Sequence, residues 1–421
     1  MEYAVLGGGA LGLMTAYRLA QAGQSVMVFE REELAGGLAS GFRVGDNWLE
    51  KFYHHIFRTD KTVIKTIEEL DLGERLEWQA PRTVSFVRGE IHQLDSPLSL
   101  LRFSPLRFDE RLRVGMVLAY LKIANPAWME GKTADAWLNT WMGSKAYPMI
   151  FQSLFKGKFG KLYDQIALPW FWARIHDRTT QLGYLRGGFQ LIYERLVERT
   201  SKLGGKILLG TTVENVLQGE DGRWIVKTNR GEWTFDRVIS TFPTRLSCRL
   251  IEGLPESYKQ QYDWGQAYGA HCLILALDRP LTDSYWINMC DGGYPFTGLF
   301  EHTNFRPTSE YGGRHIVYLG NYRSMDDPLF QQSKEKLIAE FTPHLKRINP
   351  DFDPAWIHES WIFQAPYAQP IVTTDYRQHI PPLETPLTGL WMANMFQIYP
   401  HDRGQNYSLE LANQLAERLL S

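Results

Sequence analysis

The sequence predicts an α/β fold, in which a parallel-sheet domain built from distant chain segments is interrupted by an α+β insertion. Three observations predict it. The first thirty residues alternate strand, glycine turn, helix and strand. Similar α/β patterns return over residues 185–245 and again after residue 381. The stretches between them read as helices followed by alternating strands. At 421 residues the chain exceeds one ordinary core, so two domains are expected. The divisions fall at 1–79, 185–245 and 381–421 for the parallel-sheet domain. Residues 80–184 and 246–380 form the insertion, a sheet with a helical cap.

The first strand is the apolar run Tyr3 to Leu6, ending abruptly at Gly7. Gly7-Gly8-Gly9-Ala10-Leu11-Gly12 then fits G-x-G-x-x-G. Leu13 to Ala22 is helical in composition and stops at Gly23, a C-cap. A second apolar run, Ser25 to Phe29, ends at Glu30, about twenty residues past the glycines. Strand, turn, helix, strand and acid in this order are the fingerprint of a dinucleotide site, against the alternative of a βαβ turn that binds nothing. Gly7 allows the tight turn, Gly9 lets backbone approach a pyrophosphate, and Gly12 lets helix and strand pack closely. The helix N-terminus offers unpaired N–H groups to the phosphates, and Glu30 can accept from ribose hydroxyls.

Residues 31–40, with the glycine pair Gly36-Gly37, resemble the GG motif of the amine oxidase, protoporphyrinogen oxidase and phytoene desaturase superfamily of flavoproteins. Leu34 and Leu38 stand near the pair, where that family often has Arg. Further segments resemble the family in order along the chain. Tyr184 to Gln190 opens a long helix running to about Lys202. Lys206 to Leu217, with Val213 at its centre, resembles the strand whose backbone meets adenine. Phe235 to Pro243 resembles the strand that closes the cofactor domain. Gly389 to Asn394 resembles the strand ending beside the ribitol, with Asn394 where Asp is usual. Arg403-Gly404-Gln405-Asn406-Tyr407 opens a final helix with Leu411, Leu415 and Leu419 on one face. The resemblance implies a Rossmann-like, glutathione-reductase-like FAD-binding domain with non-covalent FAD and an inserted α+β substrate domain. It also implies that the final helix N-terminus faces the pyrimidine edge of the flavin, where reduction builds negative charge.

In the insertion, strands are expected over Thr83 to Val87 and Ile91 to Leu94, and helices over Arg111 to Ile123 and Thr133 to Met142. Further strands are expected over Cys272 to Leu277, Tyr285 to Asn288, His315 to Leu319 and Trp356 to Phe363. Glu50 to Arg58 resembles the segment that crosses beneath the flavin, and His55-Ile56-Phe57 is also similar to a segment of UDP-galactopyranose mutases. His54 and His55 are candidates for proton relay or substrate orientation. In an extended segment adjacent side chains point opposite ways, so at most one of them is expected to face the flavin. The alternative is a packed histidine. Gln364 to Pro370 resembles the segment that returns past the flavin face, which makes Tyr367 a candidate wall of the substrate pocket. Lys156 to Lys161 is read as a solvated turn rather than a phosphate cradle, because it lacks the P-loop spacing. Leu168 to Arg174 is read as core or cavity lining.

A formal charge of -2 excludes a basic field for nucleic acid. The three cysteines show no paired or metal-ligand spacing, which suits a reducing, cytoplasmic setting. No leader and no membrane-spanning run is expected, while peripheral membrane contact through a surface helix stays open. The leading expectation is an oxidoreductase, oxidase- or desaturase-like, taking hydride from a bulky or aromatic small molecule, with oxygen or a quinone as electron acceptor. The alternatives are a mutase-like isomerase acting on a sugar nucleotide, weakened by the absence of a visible arginine cluster, and a flavin-binding scaffold without activity.

Overall fold

The run Tyr3–Leu6 is wholly buried because it lies inside a parallel sheet covered on both faces. In the computed structural model, which describes residues 1–264 and 266–421, this sheet has five strands. Their order is Lys206–Leu208, Ser25–Phe29, Glu2–Leu6, Arg237–Ser240, Leu390–Met392. All pairings are parallel, so both chain ends and the middle share one sheet. The helix Ala10–Gln21 packs on its two leading strands and against helices Gln190–Lys202 and Gln405–Leu420. Leu13, Met14, Ala16 and Leu19 are fully enclosed there. Leu415 and Leu419 are buried with them in one core, and Leu411 packs against it.

One expected strand is divided. Lys206 to Leu217 breaks at Gly210, whose φ of +60° suits glycine. Gly210 N donates to Glu32 O and Thr211 N to Glu30 O, which turns the chain out of the sheet. Val213–Gln218 then starts a separate antiparallel meander with Trp224–Thr228 and Gly231–Phe235.

The insertion forms a seven-stranded sheet in the order Ile357–Pro370, Ala267–Leu277, His315–Arg323, Gly298–Glu301, Trp286–Met289, Thr83–Val87, Glu90–Gln93. Ile357–Pro370 is an edge strand, which accommodates Pro366 and Pro370. The helices Phe108–Ile123, Ala134–Met142, Ser153–Phe159 and Leu168–His176 bury Leu121, Leu138, Phe159 and Leu168 in a core of their own. Lys156 to Lys161 therefore closes a helix instead of forming a solvated turn, and Lys158 points inward because its helix packs against the cavity. A small sheet of Ile56–Phe57, Leu182–Leu185 and Leu76–Gln79 joins the chain after Glu50 to the stretch leading into helix Gln190–Lys202.

Candidate active site

Every residue named above as a candidate for catalysis or cofactor binding borders one cavity of about 1810 Å³. That exceeds the ~300–1,000 Å³ of ordinary ligand pockets, so a cofactor and a substrate fit together.

At one end the wall is backbone. Gly7 has φ +106° and donates to Phe29 O at 2.9 Å. A Cβ on Gly12 would stand 2.0 Å from Gly7 O, so only glycine closes this turn. Gly9 differs: a Cβ there would meet nothing of the protein nearer than Gly37 Cα at 4.0 Å. The space beside it is kept for something else. Helix Ala10–Gln21 begins at Gly9 with no side-chain cap and no acid in its first turn, so its N–H groups are available to an anion. Glu30 Oε2 accepts Gly8 N–H at 2.7 Å and Oε1 accepts Glu32 N–H at 3.0 Å, leaving one lone pair on each oxygen. Gly36 N donates to Gly8 O at 2.8 Å, tying the second glycine pair to the first turn. Gln190, which the sequence reading did not single out, holds that loop by donating to Ala35 O and accepting from Gly41 N, both at 2.9 Å. A dinucleotide pyrophosphate fits this cradle.

Val213 borders the same end, immediately after the Gly210 turn. Farther along, Asn394 accepts from Phe396 N at 3.0 Å and donates to Thr244 Oγ1 at 3.2 Å. One N–H and one lone pair remain for a hydroxyl. Asn406 is more committed: its Oδ1 accepts from Thr62 N at 2.9 Å and Val63 N at 3.1 Å, capping helix Lys61–Glu69. The final helix starts at Gly404 without a side-chain cap or an early acid, and its first residues border the cavity. A second uncapped helix end thus meets the cavity.

The other end is made of side chains. His54 and His55 both border the cavity, because residues 53–55 are not in regular strand and the alternation expected from sequence does not apply. The His54 Nδ1–H donates to Phe52 O, leaving Nε2 as an acceptor. Burial holds this imidazole down to about 4, with the Phe52 carbonyl opposing and Arg403 adding to the effect. His55 Nδ1 pairs with Tyr285 Oη at 3.1 Å. Burial, then Arg178, His54 and Arg174, bring it down to about 3. Both rings are neutral near neutral pH, and burial that disfavours their protonated form leaves them as hydrogen-bonding groups and weak bases. Tyr367 borders the cavity with φ +53°, a left-handed conformation that tyrosine rarely adopts.

Four cations converge nearby. Asp402 pairs with Lys158 at 3.2 Å and with Arg174, and accepts from Trp170 Nε1 at 3.3 Å. Burial raises the Asp402 carboxyl, but Lys158, Arg174 and Arg403 hold it well below the carboxylate range. Arg403 donates to Tyr322 Oη at 2.8 Å and to Gln369. Tyr407 donates to Asp177 Oδ2 at 2.7 Å and stacks on His401 at 4.5 Å. The sequence shows no arginine cluster; the fold assembles one from distant segments. Arg174 in the last turn of helix Leu168–His176 and Arg178 just beyond its C-cap Asp177 are the half of it that lies close together in sequence. Trp170, Phe171 and Ala173 serve as core and cavity wall at once.

The sequence profile of the family described as flavin containing amine oxidoreductase matches residues 12–401. A 15-cis-phytoene desaturase of Synechococcus elongatus is 22% identical over 320 residues, 67% of this chain and 67% of its own. A plant 15-cis-phytoene desaturase, from Narcissus pseudonarcissus, is 26% identical over 290 residues, 62% of this chain. The chain spans about half the length of such plant relatives, 50% in that case. Among solved structures, a proposed protoporphyrinogen oxidase from Exiguobacterium sp. superposes with a TM-score of 0.80 at 18% identity, covering 100% of this chain and 98% of that one. Reduced UDP-galactopyranose mutase superposes with a TM-score of 0.76 at 14% identity, covering 100% and 95%.

Proposed function

This chain belongs to the flavin-containing amine oxidoreductase family, and from that premise we propose that it oxidises a C–H bond of a bulky, largely apolar substrate, in the manner of the oxidases and desaturases it resembles. FAD is its cofactor and, when bound, supplies a two-electron acceptor for hydride at N5. In this reading residues 1–79, 185–245 and 381–421 hold the cofactor, while 80–184 and 246–380 hold the substrate. Gly7, Gly9, Gly12, Gly36, Gly37 and Glu30 bind the adenylate and pyrophosphate. Val213 meets the adenine, while Asn394, Gly404 and the peptide N–H groups of Asn406 and Tyr407 receive the ribitol and flavin. Neutral His54 and His55 orient the substrate by hydrogen bonding, and Tyr367 and Arg403 wall the reacting end.

The observation that carries this is the cavity's continuation past the histidines, between Leu100, Val114, Leu118, Phe151, Leu154 and Phe155 of the cap. Apolar walls of that kind bury a ring or hydrocarbon chain and exclude water. Anaerobic mixing of the yellow holoprotein with apolar polyene or ring-bearing candidates is expected to bleach the visible flavin band. Readmission of oxygen or a soluble quinone then identifies the acceptor. Persistent colour with every such candidate would remove the proposal.

The outer face of the cap motivates peripheral contact with an anionic bilayer. Phe108, Leu112, Met116, Tyr120 and Ile123 form an exposed stripe along helix Phe108–Ile123, while Val114, Val117 and Leu121 face inward. A helix apolar on both faces needs cover on both. Leu98, Trp128 and Trp141 are exposed on the same cap, with Trp128 beside Tyr120, and Arg102 and Lys132 are exposed in neighbouring segments. No helix among the described residues is long and apolar enough to cross a membrane. Cosedimentation with anionic vesicles, weakened by Ile123→Glu, is the expected result. The three cysteines are buried and unpaired, which suits the cytoplasmic side.

The cationic end of the cavity favours a second reading, an isomerase acting on a sugar nucleotide. Turnover of such a substrate only after dithionite reduction, without net oxidation, would select it.

A further inference from the structure

Most charges around the cavity are matched. Asp402 takes Lys158 and Arg174, and Asp177 takes His401, His176 and the Tyr407 hydroxyl. Arg403 spends its guanidinium on Tyr322 and Gln369. Arg178 is one that is not, as are Lys51 and Arg249, and of these three it is the one held over an aromatic ring beside His55. Among the described residues no carboxylate lies within ion-pairing distance of it, and its side chain makes no hydrogen bond. Asp95, whose charge acts on it, accepts instead from Gln93 and Ser99. The Arg178 backbone is fixed, because Lys122 Nζ donates to its carbonyl at 2.7 Å. Its guanidinium lies 4.7 Å from the centre of the Trp286 ring, and the His55 ring lies 5.5 Å from that same ring. Arg178, Trp286 and His55 all border the cavity, next to Thr179 and Thr180.

Arg178 is half-buried, so its unspent donors open onto the cavity, and the indole beneath it holds the guanidinium in place as a ready cation. Its planar donors match the two oxygens of a carboxylate or phosphate. We propose that Arg178 is the anchoring subsite for an anionic group, phosphate or carboxylate, carried by an otherwise apolar substrate. Anchoring there presents the carbon next to that group, or close to it, to His55, while the apolar body extends between the cap helices. The inference rests on the reading that one cavity holds both FAD and substrate.

The test uses the FAD-loaded protein and three probes of one chain length: octyl phosphate, octanoate and octanol. Binding is read from the perturbation of the flavin absorption band. At least one anionic probe is expected to bind roughly tenfold or more tighter than octanol, a difference of ~1.4 kcal/mol. The tighter of the two anions names the group. Arg178→Met, close in length and uncharged, is expected to erase the preference, and Arg178→Lys to keep part of it. Flavin content and thermal unfolding of each variant, compared with the parent, show that the fold is intact. Equal affinity for octanol, or a preference that survives in Arg178→Met, overturns the proposal. Failure to bleach with any substrate, with the anion preference intact, would instead count against the oxidative reading alone.

Discussion

At one end of the cavity Gly7, Gly9, Gly12 and Glu30 lie within a short run of chain, and they act mainly through backbone geometry. At the other end His55, Arg178, Trp286 and Arg403 come from segments more than a hundred residues apart and act through side chains. The cradle end is local, so its requirements are steric and nearly absolute. The reacting end is assembled by the whole fold, and its requirements are electrostatic and graded. Four measurements sharpen or break this contrast.

The largest effect belongs to the cradle. Gly12→Ala brings a methyl group onto Gly7 O and is expected to cost more than about 3 kcal/mol, with loss of both FAD and cooperative unfolding. Gly9→Ala is the counterpart, with open space around its Cβ. The flavin-free protein should keep its stability within about 1 kcal/mol while FAD affinity falls at least roughly tenfold. Equal losses of stability in the two variants would show that Gly9 is structural.

Next is the pH response of the reacting end. Unfolded imidazoles protonate near 6.5, whereas folded His54 and His55 stay neutral down to about 4 and about 3. The unfolded state therefore binds more protons as pH falls below about 6.5, and native stability declines. The slope is on the order of 1.4 kcal/mol per pH unit for each histidine until the folded rings titrate. Urea unfolding at pH 7 and pH 5 measures it. Replacing both histidines with Asn should flatten that limb, and an unchanged slope would mean other groups govern it. Buried Glu50 works in the opposite sense. Burial lifts it to about 7 against hydrogen bonds from Tyr184 and Phe189, so it disfavours the native state as pH rises from its ordinary value of 4.5.

Asn406→Ala removes the cap of helix Lys61–Glu69 and is expected to cost about 1 kcal/mol in chemical unfolding. The smallest change in stability is expected for Tyr367→Gly. Relief of the left-handed backbone offsets lost packing, leaving stability within about 1 kcal/mol. The substrate KM should rise more than kcat falls. A large loss of stability instead would make Tyr367 a packing residue.

The glycine turn was readable because its chemistry depends on residues at fixed spacing along one strand and one helix. The break of Lys206 to Leu217 at Gly210 was not, since either side of it reads as strand and only pairing with Glu30 and Glu32 places the turn. Lys158 read as solvated because its neighbours are lysines and glycines, yet Asp402, far along the chain, draws it inward. The alternation argument for His54 and His55 presumed regular strand, which residues 53–55 do not form.

From the amino-acid order alone came the parallel-sheet class, the phosphate cradle and the likeness to one flavoprotein family. Backbone geometry and periodic burial are set by neighbours a few residues apart, so they are written locally. The proton affinities of the histidines, the unpaired Arg178 and the commitment of Asn406 to a cap were decided by the tertiary structure. Desolvation and charge pairing depend on what surrounds a group in space, and those surroundings come from every part of the chain.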